Sequence, residues 1–104
     1  MILRRRRFRD LVERQLDLFE SETELLDEAA EADAAWTKAS AEESEELYGD
    51  YQLVVDAIGE RLYDLREAFA SSLDEPTAED YRATFNRAAT KRLRRFAALL
   101  DEES

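Results

Sequence analysis

The chain has no cysteine and no histidine, and only two glycines and one proline among its 104 residues. Without cysteine it has no disulfide framework, thiolate metal site, iron–sulfur cluster or cysteine nucleophile. Without histidine it lacks the usual zinc and haem ligand and the commonest general base near neutral pH. Any catalysis would fall to carboxylates holding a hard ion such as magnesium. No cofactor is expected. Long apolar runs are missing too, since none approaches the roughly 20 residues of a membrane-spanning helix. The opening MILRRRRFRD has the positive region of a signal peptide, but acidic LVERQLDLFE stands where its apolar stretch should follow. The expected location is therefore the cytoplasm.

What is present suits helices. Apolar residues make up 44 % of the chain and charged ones 39 %, enough for one modest core, so residues 1–104 are expected to form a single domain. Glycine falls only at 49 and 59 and proline only at 76, which leaves long stretches without a breaker. Leu47, Tyr51, Val54, Ile58, Leu62, Leu65 and Phe69 recur at spacings of three and four, the stripe of an amphipathic helix. Tyr81, Phe85, Ala88, Ala89, Phe96, Leu99 and Leu100 repeat it, and Leu11, Val12, Leu16, Phe19, Leu26, Ala30 and Trp36 do so more loosely.

Start signals mark the joints, because an N-cap side chain satisfies amides that the first turn leaves unpaired. Ser40 with Glu43 is a capping box, and Thr77 with Asp80 after Pro76 is its analogue. Weaker copies at Asp10/Glu13 and Ser21/Glu24 fall inside the first helix, and Ser21 is the better candidate for a break. The expected helices run from about 4 to 37, 41 to 72 and 77 to 101. Short connections make neighbours antiparallel, so the predicted fold is all-α, an up-down-up three-helix bundle. A helical hairpin that completes its core by dimerising is the alternative. Phe8, Trp36, Tyr48 and Tyr63 lie beyond or beside the seam of their helices, which predicts a homodimer that buries part of Trp36 and Tyr48.

Charge is strongly segregated. Residues 1–16 carry six arginines and two acids, residues 17–80 carry three bases and 21 acids, and residues 81–104 carry six bases and three acids. The net charges of +4, −18 and +3 make up the total of −11. Internal complementarity is the plain explanation. Antiparallel levels bring Arg4 to Arg7 beside Asp74 and Glu75, and Lys91, Arg92, Arg94 and Arg95 beside Asp56 and Glu60. The basic segment 1–9, with Arg4, Arg5, Arg6, Arg7 and Arg9 beside Ile2, Leu3 and Phe8, is the candidate contact surface should the protein meet an anionic membrane. The acidic middle would repel any polyanion, which argues against nucleic acid and against a membrane surface as partners. The segment 101–104 is a short acidic tail.

Two charges fall on apolar faces. Glu22 sits in the ladder Phe8, Gln15, Glu22, Ala29, Trp36, and Arg92 lies among Tyr81, Phe85, Ala88 and Leu99. With the first and third helices parallel, residue i lies level with i + 71, which predicts a partly buried Glu22–Arg92 ion pair, with Gln15 or Glu24 as secondary partner. Asp33, continuing the ladder Val12, Phe19, Leu26, is expected to lie near a frayed helix end.

Glu28-x-x-Glu31 followed by Glu46 and Asp50 resembles the E-x-x-E and E-x-x-D carboxylates of the MazG-type all-α nucleotide pyrophosphohydrolases, and "LLDEAAEA" and "EELYGDYQLVV" are similar to that family's flanking sequence. The resemblance covers about 45 residues. It implies magnesium held between two helices and hydrolysis of a nucleotide. Two features depart from the pattern: Glu46 and Asp50 are four apart with Gly49 between them, and Glu31 lies nearly opposite the stripe from Leu25 to Trp36 at about 100° per residue. The primary expectation is a small acidic helical interaction or structural module without catalytic chemistry, working by self-association or through another protein.

Overall fold

The computed structural model describes residues 7–97 and Leu100. Among them there is no strand, and four helices account for most of the chain: α1, Arg9–Glu22; α2, Leu25–Thr37; α3, Ala41–Ala70; and α4, Glu75–Arg92, followed by a 3-10 turn at Arg94–Phe96. None is long and apolar enough to cross a membrane. At 1.5 Å per residue α3 is about 45 Å long, and it sets the long axis of a body measuring 52 × 24 × 22 Å.

The expected first helix is two helices. The chain leaves the helix at Thr23, where ψ is 138°, and Thr23 Oγ1 accepts a hydrogen bond from the Leu25 amide at 3.2 Å. A β-branched hydroxyl residue competes well with the helix here, because its side chain can hold an amide of the next first turn. The break expected near Ser21 thus falls two residues further on, and Ser21 itself donates back to the Leu18 carbonyl at 3.1 Å within α1.

The second joint follows the capping argument. Ser40 Oγ accepts from the Glu43 amide at 3.3 Å and donates to Glu43 Oε1 at 2.9 Å. At the third joint the cap position belongs to Asp74, not Thr77, and Pro76 sits inside the first turn of α4. Proline fits there because that turn's amides have no intrahelical acceptor and its fixed φ is already helical. The expected end near 101 is also corrected: α4 stops at Arg92, and Leu93 departs with φ −130° and ψ 49°.

The helices pack in a chain of contacts, α2 on α3, α3 on α4 and α4 on α1, with the 3-10 turn against α3 and α4. Val12 and Leu16 from α1, Ile58, Leu62 and Ala70 from α3, and Ala78, Tyr81, Phe85 and Ala89 from α4 are buried together. Tyr81 is the centre of this core. Its ring lies 4.8 Å from Phe69, 5.4 Å from Phe8 and 6.0 Å from Phe85, and its hydroxyl donates to Gln15 Oε1 at 2.8 Å. Burial, against that weaker hydrogen bond, pushes the Tyr81 phenol up to about 12. Phe8 is 6 % exposed and packs edge-on to Tyr81 and Phe69. It therefore belongs to the core, and is unavailable as the surface or membrane contact expected of it.

Gly49 marks a weak place in α3. It is exposed in a helix interior, and a Cβ added there would meet nothing within 4 Å. Gly49→Ala should therefore stabilise the protein by about 0.5–1 kcal/mol, by reducing the freedom of the unfolded chain. Urea unfolding followed by circular dichroism checks this, and an unchanged or lower midpoint would contradict it.

Candidate functional site

Three clusters of side chains stand out from the helix packing. The first joins α3 to α4. Arg66 is 2 % exposed, on the buried line Ile58, Leu62, Arg66, Ala70. Its Nε donates to Glu67 Oε2 and its Nη1 to Asn86 Oδ1, both at 2.8 Å, and its guanidinium lies 5.0 Å from the centre of the Tyr63 ring. Glu67 in turn accepts two hydrogen bonds from Arg82, each 3.0 Å. The Arg82 fork, helped by Arg66 and opposed by partial burial, holds the Glu67 carboxyl below its ordinary 4.5. None of Arg66, Glu67, Arg82 and Asn86 was singled out from the sequence, although Arg66 falls four residues after Leu62 and four before Ala70. The cluster links the facing sides of α3 and α4, so its work is to fix helix register.

The second cluster is gathered by Arg92, which pairs with Glu13 at 3.0 Å, with Asp17 at 2.7 Å and with Glu20. It also donates to the Glu13 carbonyl at 3.2 Å. The expected Glu22–Arg92 pair is not formed. Glu22 is exposed on the last turn of α1, and Glu20 takes its place. Two residues turn the helix by about 200°, so a carboxylate at 22 points away from a cation that one at 20 can reach. The secondary partners are also elsewhere: Gln15 accepts from Tyr81, and Glu24 is exposed. Nor do the bases at and beyond the end of α4 turn to Asp56 and Glu60, since Arg92 goes to α1 and Arg95 to Asp33 of α2, 3.2 Å away. Asp33 is thereby tied down rather than frayed. An open groove of about 810 Å³ runs beside this cluster, lined by Arg9, Asp10, Glu13, Lys91 and Arg92.

The third cluster lies on the hairpin formed by α2 and α3. Trp36 stands 5.0 Å from Tyr48 and 6.3 Å from Tyr51, the latter nearly parallel to it. Gln52 Nε2 donates to Tyr48 Oη at 2.8 Å. Tyr48 is 43 % exposed. This is an apolar surface that α2 only partly covers.

Of the basic segment, Arg4, Arg5 and Arg6 lie outside the described residues, while Arg7 and Arg9 are exposed. The acidic tail 101–104 also lies outside them. Glu28, Glu31, Glu46 and Asp50 are all exposed, and among the described residues no three carboxylates gather closely enough to hold a metal ion. Comparison with protein-family models, with curated proteins and with solved structures found no match to the chain.

The first cluster generates a pH prediction. A carboxylate whose pKa is lowered on folding adds stability above its unfolded value, and that stability is lost as pH falls through the folded one. Glu67→Gln should therefore be clearly less stable than the parent at pH 7. The difference should shrink as pH drops below the ordinary 4.5. Urea midpoints of both proteins across that range test it, and a gap that stays constant with pH would show that the charge of Glu67 is not what matters.

Proposed function

We propose that the chain is a small acidic helical module whose work is association, with a second copy of itself or with another protein, and which carries no catalytic chemistry. In this proposal α1 and α2 together form one arm of an up-down-up three-helix arrangement, and the face around Trp36 and Tyr48 is the contact between copies. The observation that carries it is the aromatic cluster on the α2–α3 hairpin. Tyr48 is exposed there, and α2 packs chiefly on α3. Two helices bury one seam between them and leave the flanks of that seam to another surface. Tyrosine and tryptophan suit such a surface, because each offers a large apolar area with a polar tip.

Sedimentation at tens of micromolar is expected to give twice the 12.1 kDa of one chain. The single tryptophan reports on the face directly, so its emission should shift to the blue as the dimer forms. Trp36→Ala should return the protein to a monomer with its helix content retained. A parent protein that is monomeric at this concentration would overturn the homodimer. Magnesium-dependent release of pyrophosphate from a nucleotide, lost in Glu28→Gln, would overturn the absence of catalysis.

A further inference from the structure

The two halves of α3 are packed very differently. Residues 58–70 give Ile58, Leu62, Arg66 and Ala70 to the buried interior, whereas among residues 25–57 only Ala29 is buried. The hairpin of α2 and the first half of α3 is thus a thin two-helix layer. On it Trp36, half-buried, Tyr51, half-buried, and Tyr48, exposed, stand against one another as one aromatic face. Two helices cannot cover the flanks of their own seam, so this face is built for an occupant.

Charge selects the occupant. Residues 24–60 hold 12 acids and one base, Lys38, a net charge of −11, whereas the other 67 residues hold 14 acids and 14 bases. The whole net charge of the chain therefore lies on and around the hairpin, and 11 of those 12 acids are exposed. Asp33 precedes Trp36 by one turn on α2, and Glu45 precedes Tyr48 by one turn on α3, so both border the rings. A second copy brought to this face sets like charge against like, while a cation is drawn to it. The chain shows one such cation in place. Arg95, beyond the end of α4, donates to Asp33 Oδ2 at 3.2 Å and lies beside the Tyr51 phenol. Asp33 first, and Tyr51 after it, raise the pKa of that guanidinium above the ordinary arginine value. Guanidinium fits such a face better than ammonium, because its plane stacks on rings while its edge donates to carboxylates. Arg95 takes only the edge at Asp33 and Tyr51, and Tyr48 stays exposed.

We infer that the aromatic face of the hairpin binds an arginine-bearing segment of another protein, whose guanidinium groups lie on Trp36 and Tyr48 and pair with the acids around them. The inference rests on the reading of the chain as an association module and names the chemistry of the partner at the same face. It also makes the two occupants exclusive, since an arginine segment and a second copy compete for Trp36 and Tyr48.

Fluorescent peptides of nine arginines or nine lysines, titrated with the full chain and followed by anisotropy, test it. Both peptides carry the same charge, so the general attraction of the acidic hairpin is common to them. Arginine should nevertheless bind about threefold or more tightly than lysine, because its guanidinium stacks on the rings. Tyr48→Ala and Trp36→Ala alter no charge, and each should weaken arginine binding by about fivefold. Leu18→Ala, an exposed apolar residue of α1 outside the hairpin, should leave it unchanged. Circular dichroism checks each fold, and Tyr48→Ala decides the matter should Trp36→Ala fail to fold. Equal binding of the two peptides, or arginine binding that survives the aromatic changes, overturns the inference, because charge alone then accounts for it. Sedimentation without peptide judges the homodimer separately. A dimer dispersed by Trp36→Ala, with no arginine binding that depends on Tyr48, overturns this inference and leaves the association reading standing. A monomer that binds arginine through Tyr48 supports it and overturns the homodimer instead.

Discussion

A guanidinium buried to 2 % exposure cannot be left unpaired, and the way α3 lies on α4 follows from where Arg66 finds its partners. Asn86 takes one nitrogen and Glu67 another, and Glu67 is itself clamped by Arg82. Breaking such a pair costs about 3–5 kcal/mol when the remaining charge stays buried. A slip of α3 along α4 by one turn would break both inter-helix links at once. The same register brings Phe69 against Tyr81, and Tyr81 carries Phe8 and Gln15 of the N-terminal part with it. The polar clamp selects the arrangement, and the aromatic core it aligns supplies most of the burial.

A second constraint comes from the surplus of acids. Glu13, Asp17 and Glu20 lie at spacings of four and three on one face of α1, where like charges repel. Arg92 converts that liability into an attachment by meeting all three from α4. Since α1 is thereby committed to α4 while α2 packs on α3, the two halves of the expected first helix serve different partners. The interruption at Thr23 lets each follow its own. Arg95 and Asp33 then tie α2 to the segment after α4.

Local chemistry was the legible part. The Ser40–Glu43 cap and the periodic stripe through Ile58 and Leu62 announce α3, whereas the offset of 71 points to Glu22 where Arg92 in fact meets Glu13, Asp17 and Glu20, 79, 75 and 72 residues away. What was hidden depends on rotation about a helix or on contacts between helices. An error of two residues in the partner of Arg92 is small along the axis but reverses the direction in which the side chain points. The stripe through Leu65 and Phe69 does not include Arg66, while steps of four from Ile58 lead to Arg66 and Ala70, both buried. The end of α4 has no local signal, since KRLRRF contains no breaker. The chain turns there and buries Leu93, Ala97 and Leu100 together.

The acidic carboxylates show how little spacing says in a chain of this composition. With 26 acids in 104 residues, pairs at helical spacing are frequent, and spacing alone says nothing about which way they face. A metal needs ligands that converge. Glu28, Glu31, Glu46 and Asp50 are all exposed. The bases are informative for the opposite reason. With only 15 of them, each cation held inside the fold leaves fewer for the surface. The exposed run Arg87, Lys91, Arg94 therefore lies on a molecule whose own acids outnumber its bases almost two to one.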